Sequence, residues 1–468
     1  MNYILLSGGS GKRLWPLSNE IRSKQFIKIL KNSDGTYESM VERVYRQIRN
    51  VDQNANITIA TSSSQVPALK NQLGEDIDIS IEPCRRDTFP AILLAVMYLK
   101  DKKNIDINDT VVISPVDPYV DDEYFKSLKE LDTKMKSSKN NIGLIGIKPT
   151  YPSEKYGYIV PRSDEQNSNG EQIRRGEQIR RGEHCEPATI IVDKFVEKPT
   201  ESAAKELISN GALWNGGVFC FKLKYLIDEA HKMVDFIDYD DIYKKYGTLK
   251  KISFDYAIVE NEKNIDVVEY KGEWKDIGTW NTLTEVMADS SIGNVLMDSK
   301  SRDTNIINEL DIPIIGMGLN KIVVAASHDG IFVSDKNESS YNKPLVEKLD
   351  SRPMYEERAW GDFKVLDMYT AASSGPDSGK QAKSLVKHLF IKADKSISYQ
   401  KHNHRDEVWT IIDGKGVLTL NDKEKEVSIG DVITIKKGDK HSLRAISDLH
   451  FVEVQIGDEI AEGDIERY

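Results

Sequence analysis

Tyr3-Ile4-Leu5-Leu6 runs without a break into Ser7-Gly8-Gly9-Ser10-Gly11-Lys12-Arg13-Leu14-Trp15-Pro16-Leu17. A short apolar run bounded by turn residues reads as a buried strand. The glycines after it let the backbone turn sharply and approach an anion with its N–H groups inward. Lys12 and Arg13 bring charge suited to phosphate, and Lys24, in Ser23-Lys24-Gln25-Phe26, is a second cationic candidate. The spacing matches neither the P-loop nor the dinucleotide fingerprint. Taken alone, the loop fits a generic tight turn as well as a phosphate cradle.

Working outward, apolar runs alternate with stretches of helical period. Residues 37–48 read as a helix, 57–60 as a strand, 91–99 as a helix and 111–113 as a strand. That alternation predicts a mostly parallel sheet covered on both faces, whose ligands sit at the carboxyl ends of its strands. The pattern breaks at 161–187, where Gly170-Glu171-Gln172-Ile173-Arg174-Arg175 is repeated at once from Gly176, and this reads as a solvated loop. The predicted organisation is an α/β domain over 1–290, a small β-rich section over 291–350, an exposed connection over 351–382 and an all-β domain over 383–468.

Bulk properties narrow the function. The chain has 468 residues and a net charge of −11, which disfavours wrapping a nucleic-acid backbone. Cys84, Cys185 and Cys220 show no paired metal-ligand spacing, so a reducing cytoplasm is the expected compartment. No apolar stretch reaches membrane-spanning length, and no membrane partner is expected.

The string Gly8 to Leu17 followed by Lys24-Gln25-Phe26 resembles the signature of sugar-phosphate nucleotidyltransferases, specifically the mannose-1-phosphate guanylyltransferases. Ser23 stands where that family usually has proline. The resemblance continues in order. Glu82-Pro83-Cys84-Arg85-Arg86-Asp87-Thr88 looks like the base-recognition stretch, with Asp87 in place of the commoner asparagine. Ser114-Pro115-Val116-Asp117 looks like the metal-holding motif, with Pro118 in place of histidine. Tyr156-Gly157-Tyr158-Ile159, Phe195-Val196-Glu197-Lys198-Pro199, Trp214-Asn215-Gly216-Gly217, Ser253 to Ala257 and Trp274 to Trp280 look like the sugar-phosphate pocket.

The resemblance implies a Rossmann-like nucleotidyltransferase sheet that joins GTP to mannose 1-phosphate with Mg²⁺. By that likeness the nucleotide would lie on Leu6, Gly8, Gly9, Gly11, Lys12, Arg13, Lys24, Glu82, Arg86 and Asp87. The sugar would lie on Gly157, Glu197, Lys198 and Asn215, and the metal on Asp117 and Asp276. Arg13, Lys24 and Lys198 would be catalytic. Trp274 and Trp280 read as packing or pocket-wall residues. The alternative is another sugar 1-phosphate or another base.

The tail is a different module. In Gln400-Lys401-His402-Asn403-His404-Arg405-Asp406-Glu407, His402 and His404 would share one face of a strand. Together with Glu407 and the distant His441 they make a candidate mononuclear metal site with open positions. The tail resembles the cupin jelly roll, in particular the type II phosphomannose isomerase domain. That likeness implies interconversion of fructose 6-phosphate and mannose 6-phosphate, with Zn²⁺ or another divalent metal on His402, His404, Glu407 and His441. Gln400 is a substitute ligand, and Arg405 would face the substrate. The alternative is a non-catalytic metal-binding or oligomerisation module, and a homo-dimer is compatible with either.

Overall fold

The computed structural model describes every residue except 10, 20, 163–189, 350–351 and 371–382. The tandem repeat and Cys185 lie outside the described residues. The chain forms two compact units. One comprises 1–9, 28–66 and 73–278, and the other 10–27, 67–72 and 279–468.

The first unit is built on a nine-stranded sheet. Its centre is parallel: Asn2–Leu6 lies between Asn56–Ser62 and Thr110–Pro115, and Asp78–Glu82 extends it. Beyond Thr110–Pro115 the sheet turns antiparallel through Leu213–Lys222, which also pairs with Ile142–Ile147 and Gly157–Pro161. The register slips between Asn215 and Phe219, and Gly217 there has φ 71°, so a bulge lets one strand serve two neighbours. The sheet is therefore mixed, parallel at its centre and again where Ile265–Tyr270 pairs with Ile142–Ile147. The helix Thr88–Lys102 is apolar almost all round and buries residues 89–97 and Leu99, as a helix covered on both sides must.

The first helix runs Met40–Val51, three residues later than the periodicity predicts. Ser39 and Glu42 form a capping box that fixes the start, and Tyr37–Glu38 pairs as a short strand with Leu30–Lys31.

In the second unit, residues 291–335 wind as a coil. Ser291–Ile292, Asn305–Asn308 and Ile322–Ser327 stack in parallel, and Val295–Met297 pairs in parallel with Ile314–Gly316. After it come two sheets of six and five strands packed into a jelly roll around Trp409, Ile411, Leu443 and Phe451. The expected connection over 351–382 is corrected here. Tyr355–Arg358 and Gly361–Thr370 are the first two strands of the six-stranded sheet, because Phe363 and Val365 alternate into its core. No helix among the described residues is long and apolar enough to cross a membrane.

Candidate active sites

The first unit gathers polar residues at the carboxyl ends of its parallel strands. Asn2–Leu6 delivers Ser7, Gly8 and Gly9, Asp78–Glu82 ends on Glu82, and Asp117 follows Thr110–Pro115. Asp276 comes from far along the chain. The short strand Lys275–Asp276 pairs with Pro118–Tyr119, Asp276 opposite Pro118, which sets it beside Asp117. Both carboxylates are half-buried. Burial raises the Tyr156 phenol pKa, and the charges of Asp276 and Asp117 push it further, so the two acids bear on one hydroxyl.

Tyr156 also begins the sugar-side cluster. Its ring meets Trp214 at 4.9 Å and Trp274 at 5.5 Å, so Trp274 is a wall residue. The Tyr156 carbonyl accepts from the Lys198 amide (3.2 Å), and Lys198 has φ 47°. Its ammonium pairs with the Glu197 carboxylate and lies 5.8 Å from the Tyr256 ring centre. Gly157 is required by close approach: a Cβ there would meet the Phe195 ring at 2.3 Å and Glu197 Oε2 at 2.5 Å. The Asn215 amide donates to Asp255 Oδ1 (2.9 Å) and its oxygen accepts from the Gly217 amide (3.1 Å). Burial, and then the nearby Glu197 charge, push the Asp255 carboxyl up to about 7.

At the base-recognition stretch, Glu82 accepts from the Tyr246 hydroxyl (2.6 Å), and burial raises its carboxyl above the usual range. Arg86 donates to the Gly247 carbonyl. Asp87, at φ 71° and ψ −178°, accepts from the Thr88 amide at the start of its helix (2.8 Å). A non-glycine residue there stores about 1–3 kcal/mol of strain, a cost usually met where function needs the geometry.

The charged part of the signature belongs to the second unit. Gly11 (φ 62°) sits so close to Ser23 Cα and the Lys24 amide that a Cβ would come within 3.1 and 3.2 Å. This folds the Lys12–Arg13 turn against Lys24. The β coil braces the same segment. Asn19 donates to Asp329 (2.7 Å), Arg22 makes a two-pronged pair with Glu309 (2.7 and 2.9 Å), and Ser327 donates to the Pro16 carbonyl (2.7 Å). Trp280 is fully buried, donates to the Trp15 carbonyl (3.2 Å) and stacks on Phe332, so it is a core residue.

The jelly roll holds a second constellation. His402, Glu407 and His441 are buried and present ligand atoms within 4.8 Å of one another. Glu407 accepts from Arg405 Nε (3.0 Å), Trp409 Nε1 (3.2 Å) and Gln455 Nε2 (3.1 Å) and lies 3.1 Å from His402 Nε2. Burial opposes its ionisation, but the contact with His402 and the charges of His441 and Arg405 hold its carboxyl well below the usual range. Gln400 Nε2 is 3.5 Å from His402 Nε2. His402 Nδ1 and His441 Nε2 are buried and have no hydrogen-bond partner among the described residues. Two imidazoles and a carboxylate with open ligand atoms are a donor set that fits a divalent metal.

The shared face expected for His402 and His404 is corrected. The strand Gln400–His402 ends at His402, the chain bends, and a new strand begins at Arg405. The bend is fixed by Asp464, which accepts from the Asn403 and His404 amides (3.0 and 3.2 Å). His404 is half-exposed and faces Asp458 at 3.6 Å, away from the cluster. Arg405 is buried, and its guanidinium contacts Glu407, Asp464, the Ala461 carbonyl and His402.

Residue types alone do not single out Glu453, Gln455, Lys387 or Asp464. Glu453 accepts from Trp409 (3.1 Å) and Gln455 (2.9 Å), and Lys387 Nζ lies 3.7 Å away. Burial and the Glu407 charge push its carboxyl up to about 8. A signal was present: Glu407 pairs across the sheet with Gln455, and Trp409 with Glu453. The period of two in both strands puts these four on one face.

Among known proteins, the chain is 27% identical to mannose-1-phosphate guanylyltransferase 2 of Escherichia coli O157:H7, over 99% of this chain and 96% of that protein. It is 28% identical to the alginate biosynthesis protein AlgA of Pseudomonas aeruginosa, over 99% and 95%. A crystal structure described as mannose-1-phosphate geranyltransferase from Thermus thermophilus superposes with a TM-score of 0.57 at 25% identity, covering 75% of this chain and 99% of that one. The mannose-6-phosphate isomerase C-terminal family model matches residues 354–468. The nucleotidyl transferase family model matches residues 2–291, more than half of the length, and the chain is a member of that family.

Proposed function

We propose that this chain transfers the guanylyl group of GTP to mannose 1-phosphate, giving GDP-mannose and pyrophosphate, and that its jelly roll interconverts fructose 6-phosphate and mannose 6-phosphate in the same cytoplasm. The observation that carries the first activity is the Asp117–Asp276 pair beside the Tyr156 cluster at the strand ends. The whole-length likeness to guanylyltransferases supplies the substrates.

A phosphate oxygen of the sugar 1-phosphate attacks the α-phosphorus of the nucleotide, the α–β bridging P–O bond breaks, and pyrophosphate leaves. Such a reaction is driven by positioning and charge neutralisation. Lys198, set by its pairing with Glu197, holds the sugar phosphate. Glu197 and Asn215 bond sugar hydroxyls, and Asn215 is oriented by Asp255. Arg13 and Lys24, with Lys12, take the triphosphate and its departing pyrophosphate. Gly8, Gly9 and Gly11 leave room for phosphate, Leu6 ends the strand beneath it, and Glu82, Arg86 and Asp87 shape the base site. Mg²⁺ would lie on Asp117 and Asp276, where it supplies charge neutralisation.

In the jelly roll, His402, Glu407 and His441 would hold a divalent metal such as Zn²⁺, which polarises a substrate carbonyl and hydroxyl. His402, with His441 and Arg405, keeps Glu407 ionised. Glu453 lines the same cavity and would carry the proton between C1 and C2.

Pyrophosphate release with GTP and mannose 1-phosphate, set against ATP, CTP, UTP, dTTP and glucose 1-phosphate, tests the head. A clear preference for GTP and mannose 1-phosphate supports it, and equal rates across the panel reject it. For the jelly roll, loss of a measurable isomerase rate in His402→Ala supports catalysis. Absence of that rate in the unmodified chain leaves the non-catalytic module.

A further inference from the structure

Within the first unit, residues 246–254 latch onto the stretch 82–89 through both backbone and side chains. The Ile252 carbonyl accepts from the Phe89 amide (3.2 Å), and the Phe254 amide donates to Thr88 Oγ1 (2.8 Å). These two bonds fix the start of the helix Thr88–Lys102. Nearer the strand end, the Gly247 carbonyl accepts from the Arg86 guanidinium, and the Tyr246 hydroxyl donates to Glu82 Oε2 (2.6 Å). The last bond serves no backbone group. Glu82 ends its strand half-buried, where solvent can reach its carboxylate.

Tyr246 itself is fully buried and belongs to the same apolar cluster as Phe89 and Leu249. Packing therefore fixes the ring, and the hydroxyl reaches Glu82 from a rigid base. Burial and the Glu82 charge raise the Tyr246 phenol, so it keeps its proton and donates. Oε2 of Glu82 is engaged, whereas Oε1 accepts no hydrogen bond among the described residues. A rigid donor on one oxygen sets the direction in which the other points.

An ionised carboxylate can only accept hydrogen bonds. Guanine presents N1–H and its 2-amino group side by side on one edge, whereas adenine has a bare N1 there and no 2-amino group. A fixed carboxylate oxygen satisfied by guanine is left unpaired by adenine, and that difference discriminates. We infer that Tyr246 is a positioning residue for base choice: it holds Glu82 so that Oε1 meets the donor edge of guanine, and it thereby sets the preference for GTP over ATP. The inference rests on the guanylyl-transfer reading above.

The test uses the full chain and Tyr246→Phe, which keeps the ring and removes only the donor, with melting curves as a check on folding. Pyrophosphate release is measured with GTP and with ATP at saturating mannose 1-phosphate. Tyr246→Phe should raise KM for GTP about tenfold with kcat little changed, the scale of one hydrogen bond to a charged group. KM for ATP should not move. In a Glu82→Gln background the same change should have little further effect, because the two residues act as one unit. A pH profile adds a second readout. Burial raises the Glu82 carboxyl, and the Tyr246 bond and then the Arg85 charge hold it down, while Cys84 and Arg86 bear on Tyr246. Protonated Glu82 loses its acceptor, so KM for GTP should rise on acidification, and in Tyr246→Phe that rise should begin at higher pH. Equal rises in KM for GTP and ATP, or an unchanged KM for GTP, would overturn the inference while leaving the guanylyl reading intact. An unmodified chain with no preference for GTP would reject that reading and the inference with it. If the unmodified chain releases no pyrophosphate, calorimetric titration decides. GTP binding weakened in Tyr246→Phe with ATP binding unmoved supports the inference, and absent or equally affected binding overturns it.

Discussion

Asp117 and Asp276 at the strand ends of the first unit keep part of their surface in solvent, whereas Glu407 in the jelly roll has a side chain only 1% exposed and contacts from five neighbours' polar groups. The first arrangement keeps both acids within reach of solvent. The second neutralises its acid internally, through Arg405 and the two histidines, before any ligand arrives. The physical consequence is a different division of labour. Substitutions at the strand ends should damage turnover and spare the fold, while substitutions in the jelly roll should damage both.

The largest expected effect is therefore in the jelly roll. Glu407→Ala strands Arg405 and His402 in a buried space, and breaking such a pair costs about 3–5 kcal/mol. Denaturant unfolding followed by tryptophan fluorescence should show it; a loss below about 1 kcal/mol would mean that water already reaches the cluster. Next comes Asp276→Asn, which keeps shape and removes charge. Its expected loss is about 10²- to 10³-fold in kcat for pyrophosphate release, on the scale of removing one preorganised electrostatic group, with the melting temperature little moved. If instead the fold weakens and turnover persists, the contrast between the two sites is wrong. A smaller effect belongs to the brace on the signature loop. Asp329→Ala releases both the Asn19 side chain and the Met354 amide. KM for GTP should rise about tenfold, the equivalent of about 1.4 kcal/mol. A change in kcat alone would assign Asp329 some other role.

The same contrast explains what could be read without coordinates. The strand-end site is spelled by contiguous motifs: each of Gly8, Asp117, Glu197 and Asn215 sits at a strand end or bulge announced by its own neighbours. Asp276 is harder, because its position depends on pairing with Pro118, more than 150 residues earlier. In the jelly roll the histidine-rich string pointed to the right strand but to the wrong partner. His404 follows a bend that Asp464 stabilises from 60 residues further on, and no local periodicity reports such a contact. The early placement of the connection before the jelly roll has a similar cause. The strand Gly361–Thr370 is amphipathic only over its first half, where Phe363 and Val365 reach the core, and Leu366, Met368 and Tyr369 beyond them are exposed.

The smallest effect tests whether the open site contains any acid of the buried kind. Asp255 is the candidate: its carboxyl stands at about 7, raised first by burial and then by the Glu197 charge. The folded pKa lies above the unfolded value of about 3.8, so the folded state holds a proton that the unfolded chain has released. Stability from this group is present below that lower value and is lost as pH rises toward 7. Asp255→Asn keeps an oxygen to accept from the Asn215 amide and cannot ionise. It should therefore stabilise the protein at pH 8 relative to pH 4.5, by on the order of 1 kcal/mol once solvent screening at a partly exposed carboxyl is allowed for. Glu197→Gln should move the midpoint of this difference downward, because it removes the second cause. Equal stability changes at both pH values would show that Asp255 is not shifted, and Glu407 and Glu453 would then be the strongly shifted carboxyls that set the jelly roll apart.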